Sequence, residues 1–168
     1  MRRALSALLT LVVAGCSFGF AGGGLPPEIR TVAVPSFLND TPDPTLTLLV
    51  TQAVKQAMES RLGLRTATEE QADAVVRGRI TRYDPDQPLA FTGNPGAAGT
   101  AAQVSVTQRQ VEMTVDIEVI EQKTGRTLWS GKGLQVPGQY APGREADGKQ
   151  KALDLIIKKL IDGVHSNW

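Results

Sequence analysis

The chain is poor in the residues that most often carry chemistry. It has one cysteine, Cys16, and one histidine, His165, among 168 residues. One thiol excludes an internal disulfide, and one thiol with one imidazole leaves a zinc site or a nucleophilic triad without its parts. Charge of either sign is not in surplus: 18 Lys and Arg stand against 17 Asp and Glu, a formal +1. That balance gives no basis for a nucleic-acid partner. There is no internal repeat, and the one sustained apolar run, at the N-terminus, is too short to span a bilayer.

That run is nevertheless the most informative segment. Arg2 and Arg3 precede Leu5, Ala7, Leu8, Leu9, Leu11, Val12 and Val13, and the run closes on Val13-Ala14-Gly15-Cys16. A basic start, an apolar centre and small residues before a cysteine read as a lipoprotein signal, residues 1–15, cleaved before Cys16. Diacylglycerol on the thiol and an acyl chain on the new amino group would bury about three chains at ~0.8 kcal/mol per methylene, an effectively permanent anchor. Ser17, rather than an aspartate, follows the cysteine, which points to the outer membrane and its periplasmic side. Without residues 1–15, 153 residues remain, enough for one domain and one core, and the formal charge changes from +1 to −1. With its only cysteine acylated, the chain needs no other cofactor and must be stabilised by packing alone.

Residues 16–28, rich in glycine and holding Pro26 and Pro27, read as a tether, and 29–168 as a single domain. IRTVAVPSF, Ile29 to Phe37, is a first strand whose end is interrupted by Pro35. Asn39 to Pro44 form a turn, and Pro44 or Thr45 opens a helix. Leu46, Leu49, Val50, Ala53, Val54, Ala57, Met58 and Leu62 keep helical spacing up to a stop at Gly63. Ala74 to Tyr83 read as a second strand. Asp84 to Ala102, with prolines and glycines and little periodicity, read as a long loop. Val111, Met113, Val115, Ile117 and Val119 alternate with polar residues in a third strand, Gln122 to Gly125 make a hairpin turn, and Arg126 to Val136 return as a fourth. Leu153, Ile156, Ile157, Leu160, Ile161 and Val164 define a closing helix. The order β-α-β-β-β-α predicts an α+β two-layer sandwich: a mainly antiparallel four-stranded sheet with two helices on one face.

With its elements in this order, the chain resembles the LptE family of lipopolysaccharide-assembly lipoproteins. The likeness rests on Val13 to Cys16, on Ser17-Phe18-Gly19-Phe20 and Gly24-Leu25-Pro26-Pro27, on Ile29 to Pro35 with Phe37, Asn39 and Thr41, and on the final helix. It implies a non-enzymatic protein that plugs the LptD β-barrel as a one-to-one partner, assists lipopolysaccharide insertion and binds the anionic head of that lipid. Lipid-contacting cations are implied before the third strand, where the chain has Arg109, and on the approach to the final helix, where it has Arg144, Lys149 and Lys151. Where the family carries an Arg-containing turn, this chain has the neutral Phe91 to Gly96. The first strand is also similar to that of lipoprotein activators of peptidoglycan synthases, which sets a regulator of another envelope machine beside the first reading.

Other residues have plainer readings. Arg77, Arg79 and Arg82 form an anion patch or, more simply, pair across strands with Glu112, Asp116 and Glu118, although strict alternation sets Tyr83 on the face of Arg77 and Arg79 and Arg82 on the other. Asp73, Asp84 and Asp86 lack the ligand alternation of a calcium loop and read as solvated turn carboxylates. Gly22 to Gly24 belong to the linker rather than to a phosphate-binding loop. His165 reads as a surface residue at a helix end. Trp129 is expected in the core, and Trp168 docks the terminus or meets a barrel wall. No nucleophile, base and orienting group converge, so no catalytic site is expected.

Overall fold

The computed structural model describes residues 25–92 and 105–166. The expected lipoprotein signal, Cys16, the expected tether up to Gly24, residues 93–104 of the expected loop and Trp168 lie outside them. Six strands form one sheet: β1 (Thr31–Ala33), β2 (Leu38–Asn39), β3 (Arg65–Thr66), β4 (Ala74–Thr92), β5 (Ser105–Glu121) and β6 (Thr127–Tyr140). Among the described residues two helices, α1 (Thr45–Leu62) and α2 (Glu145–Ser166), accompany the sheet, with a 3-10 turn at Glu69–Gln71. The strand order is β3-β1-β4-β5-β6, and β2 joins β4 beside β1.

The fold is α+β with both helices sharing one core on a sheet face, as the sequence predicts, but the sheet differs from the four-stranded, mainly antiparallel expectation. β1 pairs in parallel with both β3 and β4, and β2 in parallel with β4, whereas β4-β5 and β5-β6 are antiparallel. The expected first strand, Ile29 to Phe37, is cut back to Thr31–Ala33 because Pro35 cannot donate to a ladder, and pairing resumes beyond it in β2, which takes Asn39 from the expected turn. Instead the Phe37 N–H donates to Thr51 Oγ1 of α1 at 3.0 Å. The Phe37 ring is buried against Gly78, where a Cβ would come within 2.0 Å of it.

α1 begins at Thr45. Its N-terminus is capped from Asp43, whose Oδ1 accepts from the Thr45 N–H and hydroxyl at 3.0 and 2.6 Å. It ends at Gly63, whose φ of 65° permits the left-handed turn closing on the Met58 carbonyl. Leu46, Val50, Val54 and Met58 of α1 and Ala152, Leu153, Ile156, Leu160 and Val164 of α2 share one core with Val76, Ile80, Met113, Val115, Ile117 and Trp129 of the sheet. Leu49 is the outlier of the α1 pattern: it is exposed, on the rim of the groove between the helices. Trp129 is buried as expected, its ring packed so close to Gly163 that a Cβ there would come within 2.2 Å of its Nε1. α2 lies close on β6 because Gly138 and Gly148 meet without side chains; a Cβ on Gly138 would come within 1.9 Å of the Gly148 carbonyl oxygen.

The largest departure from the sequence reading is at Asp84–Thr92. These residues are not loop but the distal half of β4, paired with β5 up to Thr92↔Ser105. Pro85 and Pro88 are tolerated there because the described partners of β4 on its other side, β1 and β2, stop at Ile80, leaving an edge. Bulges between Ile80 and Arg82 and between Asp84 and Gln87 absorb the misfit. The first bulge shifts the alternation by one residue. Tyr83 therefore packs on the core, and Arg82 pairs opposite Thr114 on the uncovered face, both reversed from the strict period-two expectation.

Candidate functional site

Arg109, Arg144, Lys149 and Lys151 occupy the end of the molecule where β6 passes into α2. Arg109 pairs opposite Tyr140, the last residue of β6. Arg144 lies in the connecting turn, and Lys149 and Lys151 lie in the first two turns of α2. The sheet and the helix start thus gather residues up to 42 apart in sequence onto one end, each already engaged.

Arg109 forms an ion pair with Asp86, in the second bulge of β4. That bulge is fixed by Tyr140, whose hydroxyl donates to the Pro85 carbonyl at 2.6 Å and approaches Asp86 Oδ1 at 3.2 Å. The Arg109 guanidinium holds the Asp86 carboxyl below its usual range. Burial, then the adjacent Asp86, raises the Tyr140 phenol.

Lys149 is the most enclosed of the four. Its Nζ lies 3.1 Å from both Asp43 Oδ2 and Glu145 Oε1 and 5.4 Å from the centre of the Tyr83 ring. Tyr83 in turn donates to Glu145 at 3.0 Å. Burial alone would lower the ammonium pKa; the bonds to Asp43, Glu145 and Tyr83 outweigh it and raise it. Burial pushes the Tyr83 phenol up to about 12. Asp43 is held low, first by the Thr45 hydroxyl and then by Lys149. One carboxylate thus caps α1 with one oxygen and holds α2 with the other.

Arg144 pairs with Asp147 three residues on, at 2.7 Å, with 70 % of its side chain exposed. Lys151 is held by the Gln139 carbonyl at 2.8 Å. These two present reachable charge, whereas Lys149 is largely committed to joining α1, β4 and α2.

The arginines of β4 find partners other than those directly across the ladder. Arg77 and Arg79 stand opposite Glu118 and Asp116 in register, yet Arg77 pairs with Glu69 and Arg79 with Asp40 at 2.9 Å. Glu118 has Lys132 at 3.9 Å, and Asp116 accepts from the Gly133 N–H at 2.7 Å. The acids come from loops that no periodicity in the sequence connects to β4. The simple turn reading also fails for Asp73: its Oδ2 accepts from the Arg30 and Thr31 N–H groups and the Thr31 hydroxyl at 3.0, 2.9 and 2.7 Å, clamping the start of β1. His165 is exposed at the end of α2. Among the described residues there is no group of three His, Cys, Asp or Glu arranged to hold a metal, and no helix long and apolar enough to cross a membrane.

The family model described as "LptE: Lipopolysaccharide-assembly" matches residues 29–166. No curated protein matches the chain. Among solved structures the chain is similar to protein XCC0632 from Xanthomonas campestris, at 10 % identity and a TM-score of 0.51, covering 86 % of this chain and 91 % of that one. It is also similar to the PelC dodecamer protein from Paraburkholderia phytofirmans (18 %, TM-score 0.47, 85 % and 93 %). A third is lipoprotein GNA1162 from Neisseria meningitidis (13 %, TM-score 0.45, 82 % and 99 %).

Proposed function

Because the chain belongs to the LptE family of lipopolysaccharide-assembly proteins, we propose that it is an outer-membrane lipoprotein, anchored through Cys16 and facing the periplasm, that plugs an LptD-type barrel and assists insertion of lipopolysaccharide. The match over residues 29–166, most of the chain, carries this reading. The role is one of occupancy, assembly and ligand handover, in keeping with a family that is not catalytic. The anionic head of the lipid would meet the end bearing Arg109, Arg144, Lys149 and Lys151. Arg144 and Lys151 are the readiest contacts, since an arginine can grip a phosphate bidentately and a lysine meets it as a point charge. Lys149 would act mainly by keeping the two helix starts together.

The test is a mild-detergent pull-down of the tagged, lipidated protein from native outer membranes, with mass spectrometry of stoichiometric partners. The expected result is one LptD-like barrel, one to one. A peptidoglycan synthase in place of the barrel would overturn the reading and support the envelope regulator. Cys16→Ala is expected to release the protein from the membrane, and normal outer-membrane retention of that variant would refute the lipid anchor.

A further inference from the structure

The β6-to-α2 end is cationic in sequence but not in charge. Arg109, Arg144 and Lys149 face Asp86, Asp147, and Asp43 with Glu145. Most of these acids lie on α2 beside the cation they neutralise or in the turn before α1. Asp86 differs, because it reaches Arg109 from another strand through a bulge that Tyr140 holds open. Its side chain is short and its backbone is fixed, so the carboxylate is delivered to the guanidinium rather than meeting it by the wandering of two long chains. Both groups are still open to solvent, at 31 % and 54 % side-chain exposure, so an incoming anion can reach the pair.

We infer that Asp86 is a specificity-determining residue: it occupies Arg109 as an internal competitor, so that only an anion able to replace a carboxylate on the guanidinium is captured there. This rests on the proposed lipopolysaccharide-binding role of Arg109. A phosphate monoester on a rigid sugar carries the charge and the paired oxygens to make that exchange, and a small, weakly held anion does not. Tyr140 sets the geometry of the exchange by pinning Pro85 and Asp86, and after displacement its hydroxyl still has the Pro85 carbonyl as acceptor.

The experiment compares the full chain with Asp86→Asn, Arg109→Ala, the double variant and Asp84→Asn, measuring binding to purified lipopolysaccharide and to pyrophosphate. Asparagine keeps an oxygen for Tyr140 and removes the charge. Asp84 lies in the same bulge and accepts from Gln87 and, at 3.4 Å, from the Asp86 N–H; asparagine keeps an oxygen for that N–H, so its variant controls for the loss of one negative charge. The ordinary strength of exposed ion pairs sets the expected gain for Asp86→Asn at roughly two- to fivefold tighter binding. That gain should vanish in the double variant and be absent in Asp84→Asn. No gain with either probe, a gain that survives Arg109→Ala, or an equal gain in Asp84→Asn would overturn the inference. An Arg109-dependent gain for pyrophosphate alone, with lipopolysaccharide bound by no variant, would uphold Asp86 as competitor and defeat the lipopolysaccharide reading instead.

Discussion

The two halves of β4 are one strand by hydrogen bonding and two materials by composition. From Ala74 to Ile80 it is flanked by β1 and β2 on one side and β5 on the other, and Ala74, Val75, Val76 and Ile80 are buried. From Arg82 to Thr92 its described ladder partner is β5 alone, its register breaks at three places beyond the bulge that opens it, it carries Pro85 and Pro88, and it exposes Leu89 and Phe91. The first half is held by packing on both faces, with Val75 joining Ala33 and Ala72 in a small cluster behind the sheet. The second is held by local bonds: Tyr140 to Pro85, Arg109 to Asp86 and Gln87 to Asp84. Stability is therefore expected to fall along the strand, and the candidate binding residues lie at its weaker end, where rearrangement costs least.

Substitutions placed along this gradient can break or sharpen the contrast. The largest loss is expected for Ile117→Ala, opposite Gly78 and fully buried, at about 3–4 kcal/mol from lost transfer and the cavity left behind; denaturant unfolding at unchanged m-value measures it. Gly138→Ala follows, at about 2–3 kcal/mol, because the added carbon collides with the Gly148 backbone. Its signature should be loosened α2, read as faster amide exchange in that helix with β1 and β4 unaffected. Lys149→Met should cost about 1–2 kcal/mol, between the values for exposed and buried ion pairs, since it leaves Asp43 and Glu145 without their shared cation.

Acid tests the clamp at the packed end. Asp73 is held below its ordinary value of 3.8, first by the Thr31 hydroxyl and then by the Arg30 N–H. A carboxyl depressed on folding contributes stability that is full above the unfolded value and is lost as pH falls through the folded one. Unfolding midpoints should therefore drop below about pH 4, and Asp73→Ala should flatten that drop; an unchanged acid limb would remove Asp73 from the clamp. The smallest effect is expected for Leu89→Gln on the distal half, within about 0.5 kcal/mol of zero. A loss comparable to Ile117→Ala would erase the difference between the halves.

Where the sequence was readable, burial enforced a period. α1 was legible down to its Gly63 stop, and β5 from its alternation, because one face of each meets the core and the other does not. Trp129 was legible as core for its size. The β4 ribbon was not, since proline breaks a strand only where the ladder needs the N–H it lacks, and here the neighbouring strand ends before Pro85 and Pro88. Of the candidate site, the four cations could be named from their places beside the third strand and the last helix. Their distant counter-ions could not, because Asp43 and Asp86 lie 106 and 23 residues from the cations they hold.

By itself, then, the sequence determined the class of the fold, the two helices and the hairpin of the long strands, because these follow from local spacing and turn chemistry. The parallel pairing of β1, β2 and β3, the parity shift at Thr81 and the delivery of Asp86 to Arg109 and of Asp43 to Lys149 were decided only in the tertiary structure. Each depends on which segments become neighbours when the core closes, and no local pattern carries that information.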